Sequence, residues 1–85
     1  MPALTLRYFA SVREAVGCGS EQLSTDAADC AALRHELMTR GDVWAEALAP
    51  GRAVRVAVNQ VLQHDERAAL NPGDEVAFFP PVTGG

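Results

Sequence analysis

The residues in this chain best suited to chemistry are at its close: Pro80, Pro81, Val82, Thr83, Gly84 and Gly85. Neither proline has an N–H to continue a sheet ladder, and their fixed φ favours an extended course. At ~3.3–3.6 Å per residue such a tail reaches roughly 20 Å. The two glycines leave no side chain beside the α-carboxylate, so this end could thread a channel that any Cβ would block. A Gly-Gly end can also be a frayed terminus. Here the prolines stiffen the approach and Phe78-Phe79 anchors it, which favours a carboxylate that is itself the reactive group. A carboxylate becomes an acyl donor only when one oxygen is made a leaving group. Adenylation with ATP does this, after which a sulfur nucleophile gives a thiocarboxylate or a lysine gives an amide. An unhindered glycine end suits both outcomes.

No other constellation in the chain competes. It contains no Gly-x-Gly-x-x-Gly and no phosphate loop, so no cofactor is expected on this chain and ATP is expected on an activating partner. His35 and His64 lack companions at metal-ligand spacing and read as surface histidines; no metal is expected. Ser11, Ser20 and Ser24 have no nearby base signature. Asp65-Glu66 reads as a solvated charge pair. Cys18 sits between glycines, with nothing basic closer in sequence than Arg13 to activate it.

The totals agree with a small carrier that supplies no reagents. With 85 residues, 48% of them hydrophobic and 21% charged, the chain is one domain near the lower size for a self-sufficient core. A net charge of −4 gives no footprint for nucleic acid. It suits solubility or a partner with a basic groove. No apolar run approaches the ~20 residues that cross a bilayer, so no membrane contact is expected. The opening Met1-Pro2-Ala3 leads straight into a strand pattern, so no leader is expected, and Cys18 and Cys30 make no disulfide framework. These features fit a cytoplasmic location.

The elements that must hold the tail follow from periodicity. Residues 3–9 alternate as a half-buried strand, with Leu4, Leu6 and Tyr8 on one face and Thr5, Arg7 and Phe9 on the other. Phe9 on the polar face either seals a core edge or belongs to a contact surface. Residues 10–16 read as a short helical turn stopped by Gly17 and Gly19, and residues 22–24 as a weak strand that hairpins with the first. Asp29 is placed to cap a helix running from Cys30 to about Arg40, with Cys30, Leu33, Leu37 and Met38 as its apolar stripe and Gly41 as its C′ stop. His35 and Glu36 lie off that stripe and are expected in solvent. Residues 43–48 suggest a short helix with Trp44 and Leu48 on one side, broken at Ala49-Pro50-Gly51.

Val54, Val56 and Val58 mark a third strand, Asn59-Gln60 a turn, and Val61-Leu62 a short return. Residues 63–69 are polar, Leu70 is a plug over the core, and Asn71-Pro72-Gly73-Asp74 is a strong turn signal. The last strand, residues 75–79, puts Val76 and Phe78 on one face and Ala77 and Phe79 on the other. The order strand, strand, helix, strand, short strand, strand predicts an α+β layer, one main helix packed across a mixed sheet. The first and last strands are the longest and most apolar, so they are expected to pair centrally and in parallel.

Three blocks carry a family resemblance: Leu6-Arg7-Tyr8-Phe9-Ala10-Ser11-Val12-Arg13-Glu14, Val56-Ala57-Val58-Asn59, and the whole close from Gly73 to Gly85. In these the chain resembles the small, sulfur-carrier subunits of molybdopterin synthase, a ubiquitin-like family. The resemblance spans the whole length, although from Gly17 to Arg52 it rests only on the helical pattern. It implies a β-grasp fold over residues 1–79 and an extended tail over 80–85. It implies that a ubiquitin-activating-type adenylyltransferase forms a glycyl adenylate on Gly85 and that sulfur from a sulfurtransferase replaces AMP. It also implies that the thiocarboxylate enters the large synthase subunit. There it would donate sulfur to cyclic pyranopterin monophosphate, with two carrier tails in a heterotetramer. By position, Gly85 would bear sulfur and Gly84 would give clearance. Val82 and Thr83 would line the partner's channel, Phe79, Pro80 and Pro81 would dock the tail root, and Phe9 and Arg13 would extend that surface. Thr83 stands where the family usually has a small residue. A carrier for thiamine or cysteine synthesis, a ubiquitin-like modifier joined to lysines, and an inert interaction domain are the competing readings. The Phe-Phe-Pro-Pro-Val block and the Phe-Ala-x-x-Arg-Glu opening favour the molybdopterin reading over other sulfur carriers.

Overall fold

A computed structural model of the chain describes residues 3–49 and 53–81. Its elements in order are β1 (Ala3–Tyr8), α1 (Ala10–Val16), β2 (Ser20–Ser24), α2 (Cys30–Met38), α3 (Asp42–Ala47), β3 (Arg55–Val58), β4 (Val61–Gln63) and β5 (Glu75–Phe79). The strands form one five-stranded sheet in the order β2-β1-β5-β3-β4. β1 and β5 are the parallel central pair, with Leu6 opposite Val76 and Tyr8 opposite Phe78. Every other pairing is antiparallel. This is the β-grasp expected from the sequence, with the main helix packed across one face of a mixed sheet.

Period-two alternation decides which face is covered. Leu4, Leu6 and Tyr8 of β1, Val56 of β3, and Val76 and Phe78 of β5 are all buried. They meet the α2 stripe, where Cys30, Leu33 and Leu37 have no exposed surface. Burial raises the Cys30 thiol pKa to about 11, with nearby acidic groups adding to the effect. Asp29 caps α2 as expected, its carboxylate accepting from Ala32 N at 2.8 Å. Leu70 packs on the core, and Leu70 N donates to Ala28 O. Tyr8 is stacked on Phe78 at a centroid distance of 6.0 Å and meets Trp44 edge-on at 5.4 Å. Its hydroxyl donates to Glu21 Oε2 at 2.9 Å, and Arg40 binds both oxygens of the same carboxylate. Burial, reinforced by that acidic partner, raises the Tyr8 pKa.

Four expectations are corrected. The α2 helix stops at Met38, with Thr39 as its C-cap; Thr39 Oγ1 donates to Glu36 O and satisfies that carbonyl. Gly41 is therefore not the C′ stop of α2 but the N-cap residue of α3. Glu36 is not free in solvent, because Thr25 Oγ1 donates to its carboxylate at 2.6 Å. Asp65-Glu66 is not a solvated pair. Asp65 is exposed beside Arg67, but Glu66 accepts from Arg34 Nη1 at 2.7 Å. Arg34 itself is buried and also donates to the carbonyls of Leu48 and Ala49. A buried guanidinium needs such partners, and here it ties the end of α3 to the segment before β5. The expected chain break at Pro50 and Gly51 lies outside the described residues.

Candidate docking surface and tail root

Two parallel central strands end at the same edge of the sheet. That topology alone brings the end of β1 beside the end of β5. The junction is fastened by Phe9 N, which donates to Phe78 O at 3.1 Å. Beyond it the ladder ends, because Pro80 has no N–H to offer. Phe9 is not the last residue of β1, as the alternation suggested, but the N-cap residue of α1, still extended at φ −125°. Phe9 is 42% exposed, which decides between the two sequence readings: it does not seal the core.

Phe9 and Phe79 line one groove on the sheet face opposite α2, together with Arg7, Gln60, Glu75 and Ala77; its volume is about 500 Å³. The Arg7 guanidinium lies 5.7 Å from the Phe9 ring centroid, within cation–π range, and 3.6 Å from the Glu75 carboxylate. An exposed Phe9 and a half-buried Phe79, walled by a charged Arg–Glu couple, thus share a groove at the root of the tail.

Pro80 and Pro81 turn away from that groove and line a second one, about 560 Å³ in volume, with Ser11, Val12 and Ala15 of α1 and Val43 and Ala47 of α3. Arg13 joins neither. It lies along Gly19, where a Cβ would stand 3.2 Å from Nε, in a shallow depression shared with Cys18. The same α1 turn that holds Arg13 ends at Gly17, whose φ of 74° suits glycine and whose N–H donates to Arg13 O. Cys18 Sγ is turned towards Ser20 O at 3.1 Å. Phe9 and Phe79 are therefore brought together, Pro80 and Pro81 border the neighbouring groove, and Arg13 stands apart. Val82, Thr83, Gly84 and Gly85 lie outside the described residues.

Sequence reasoning did not single out Arg7, Gln60 or Glu75 as part of this surface. The signal for Glu75 and Arg7 was the shared outward register with Ala77 and Phe9. For Gln60 it was a turn dipeptide in which the usual glycine is absent. Among the described residues, no cluster of three or more His, Cys, Asp and Glu side chains is arranged to hold a metal ion. Nor does any helix among them have the length and apolarity to cross a membrane.

Known proteins resemble this chain over most of its length. The model of the ThiS family matches residues 6–85. The molybdopterin synthase sulfur carrier subunit of Haemophilus influenzae is 49% identical over 82 residues, covering 96% of this chain and 99% of that protein. The protein of the same name from Escherichia coli is 46% identical over 78 residues, covering 92% of this chain and 94% of that one. Among solved structures, the complex of subunits 1 and 2 of molybdopterin-converting factor from Helicobacter pylori contains a chain that superposes with a TM-score of 0.68 at 25% identity, over 98% of this chain and 99% of that one.

Proposed function

This chain belongs to the ThiS family, and from that premise we propose that it is the sulfur-carrying subunit of a molybdopterin synthase. Gly85 is the bearer of the reactive carboxylate. A ubiquitin-activating-type adenylyltransferase, which holds the ATP, transfers AMP to that carboxylate and releases pyrophosphate. Sulfide sulfur delivered by a sulfurtransferase then attacks the acyl carbon and AMP leaves, so the carboxylate becomes a thiocarboxylate. The loaded tail enters the large synthase subunit and gives its sulfur to cyclic pyranopterin monophosphate, one of two sulfurs needed for the dithiolene.

The observation that carries this reading is the exposed Phe9, which shares a groove with the half-buried Phe79 beside the tail root. A domain of this size ordinarily buries its aromatics, and exposed aromatic anchors are frequent binding hot spots. The solved complex of subunits 1 and 2 of the Helicobacter pylori factor supports a large-subunit partner. In this reading Phe9, Phe79, Pro80 and Pro81 grip the partner's rim, while Val82 and Thr83 line its channel and Gly84 gives clearance. Arg13 extends the contact on the far side of α1. In this role the chain positions an acyl end for others to activate.

Deleting Gly85, or replacing Gly84 with Trp, tests this directly. Both variants are expected to melt like the parent and to form no molybdopterin when mixed with the activating enzyme, a sulfur source and the large subunit. Molybdopterin formation by the deletion variant would refute the assignment of the tail.

A further inference from the structure

Among the described residues, three that are not glycine have positive φ: Ala10 at 50°, Asn59 at 51° and Gln60 at 70°. Asn59 and Gln60 form the two-residue connection between β3 and β4. A hairpin loop of this kind needs positive φ at both central residues, and Asn-Gly is the usual pair because glycine has no Cβ to crowd the carbonyl. Asn59 repays its place within the fold. Its Nδ2 donates to Asp74 Oδ1 at 3.0 Å, and its Oδ1 accepts from Glu75 N at 3.0 Å. Gln60 has no such account. It is exposed, and among the described residues its carboxamide has no hydrogen-bond partner.

What Gln60 does have is a position. Its side chain borders the Phe9–Phe79 groove. Ala10, the other unexplained left-handed residue, directly follows Phe9. Strained backbone at a binding surface is a recognised mark of function, provided the outlier itself is observed. We propose that Gln60 is a recognition residue for the large synthase subunit. Its carboxamide pairs with a backbone peptide group of that partner where the partner crosses the groove. The inference rests on the sulfur-carrier reading above. A carboxamide offers an acceptor and a donor side by side, which complements a peptide group rather than a charge. The groove includes Phe79, the residue that precedes Pro80, so a partner that receives the tail meets the groove at the tail root. The fold thus keeps a strained side chain where glycine would be more stable, because the side chain is used outside the fold.

The test uses the full chain and the purified large subunit, with affinity by calorimetry and melting by circular dichroism. Gln60→Gly is expected to raise the melting temperature by about 4 °C or more, since strain of this kind is worth that much in a domain this small. It is also expected to weaken binding about fivefold or more, the worth of a lost hydrogen bond at an interface. Gln60→Ala keeps the Cβ and should weaken binding equally without the gain in melting temperature. Unchanged affinity in either variant, or a melting temperature that fails to rise in Gln60→Gly, overturns the proposal. Loss of affinity only for the adenylating enzyme overturns it too. If Phe79→Ala weakens the complex while both Gln60 variants bind normally, the sulfur-carrier reading stands and this proposal alone falls. If the unaltered chain does not bind the large subunit, both fall.

Discussion

Tyr8 and Phe9 are neighbours in the chain, as are Phe78 and Phe79, yet each pair is divided between two environments. Tyr8 and Phe78 are 1% and 0% exposed and stack on one another beneath α2. Phe9 and Phe79 line the opposite groove, Phe9 exposed and Phe79 half-buried. The same residue type, one position along, is held by the protein's own packing on one side and offered outward on the other. Strand alternation produces the division, and parallel pairing of β1 and β5 repeats it at a single edge. The covered face shows what holds the domain together. The open face shows what the domain is for: there an exposed Phe9 lies beside a half-buried Phe79, outside the core that holds the fold.

The comparison can be broken by exchanging its members. Phe78→Ala should cost about 3–5 kcal/mol of stability, the range for removing a buried aromatic and leaving a cavity. Phe79→Ala should cost less than about 1 kcal/mol of stability. It should instead weaken binding to the large subunit by about 2 kcal/mol or more. Urea unfolding and calorimetric titration of both variants separate the two effects. Equal losses of stability would make Phe79 a core residue and erase the distinction.

A smaller effect sharpens the account of the covered side. Hydrogen bonds from Arg40 hold the Glu21 carboxyl below its ordinary pKa of 4.5, with a further contribution from Tyr8 opposing desolvation. A depressed native pKa stabilises the fold above the unfolded value. That contribution is lost as pH falls below about 4.5 towards the native value. Glu21→Gln should therefore be less stable than the parent at neutral pH, by the order of 1 kcal/mol for a partly exposed pair. The difference should shrink as the parent is acidified through that range. Melting curves against pH measure it; a constant difference would mean that the Glu21 charge contributes nothing.

Much of the fold was legible because the covered face is built on simple periods. The alternation of Leu4, Leu6 and Tyr8 and the stripe of Cys30, Leu33 and Leu37 both point to one shared core. The capping Asp29 and the turn at residues 71–74 were equally local signals. What could not be read were pairings distant in sequence. Arg34 looks like any exposed helix residue until the ends of α3 and the Glu66 segment close around it. Glu36 and Thr25 are likewise joined only by tertiary packing. Gly41 follows a helix and precedes another; the preference of glycine for a helix C′ position assigned it to α2, whereas it serves the start of α3.

At the candidate site, Phe9 and Phe79 were visible as aromatics that break the inside-outside pattern. Their meeting depended on strand order, which the similar apolar character of β1 and β5 suggested. Arg13 was grouped with them by the family resemblance, but α1 turns it towards Gly19. Gln60 was seen only as a turn residue, because the cost of its conformation is a matter of dihedral angle rather than residue type.

The role proposed for this domain is to present an acyl end for activation by others. Intact mass spectrometry of the chain after incubation with ATP, a sulfur source and the adenylating enzyme tests it most directly. One oxygen is expected to be replaced by one sulfur, localised to Gly85 by fragmentation, with no exchange when ATP is omitted. An unaltered mass under conditions where the same enzyme loads an established carrier would contradict it.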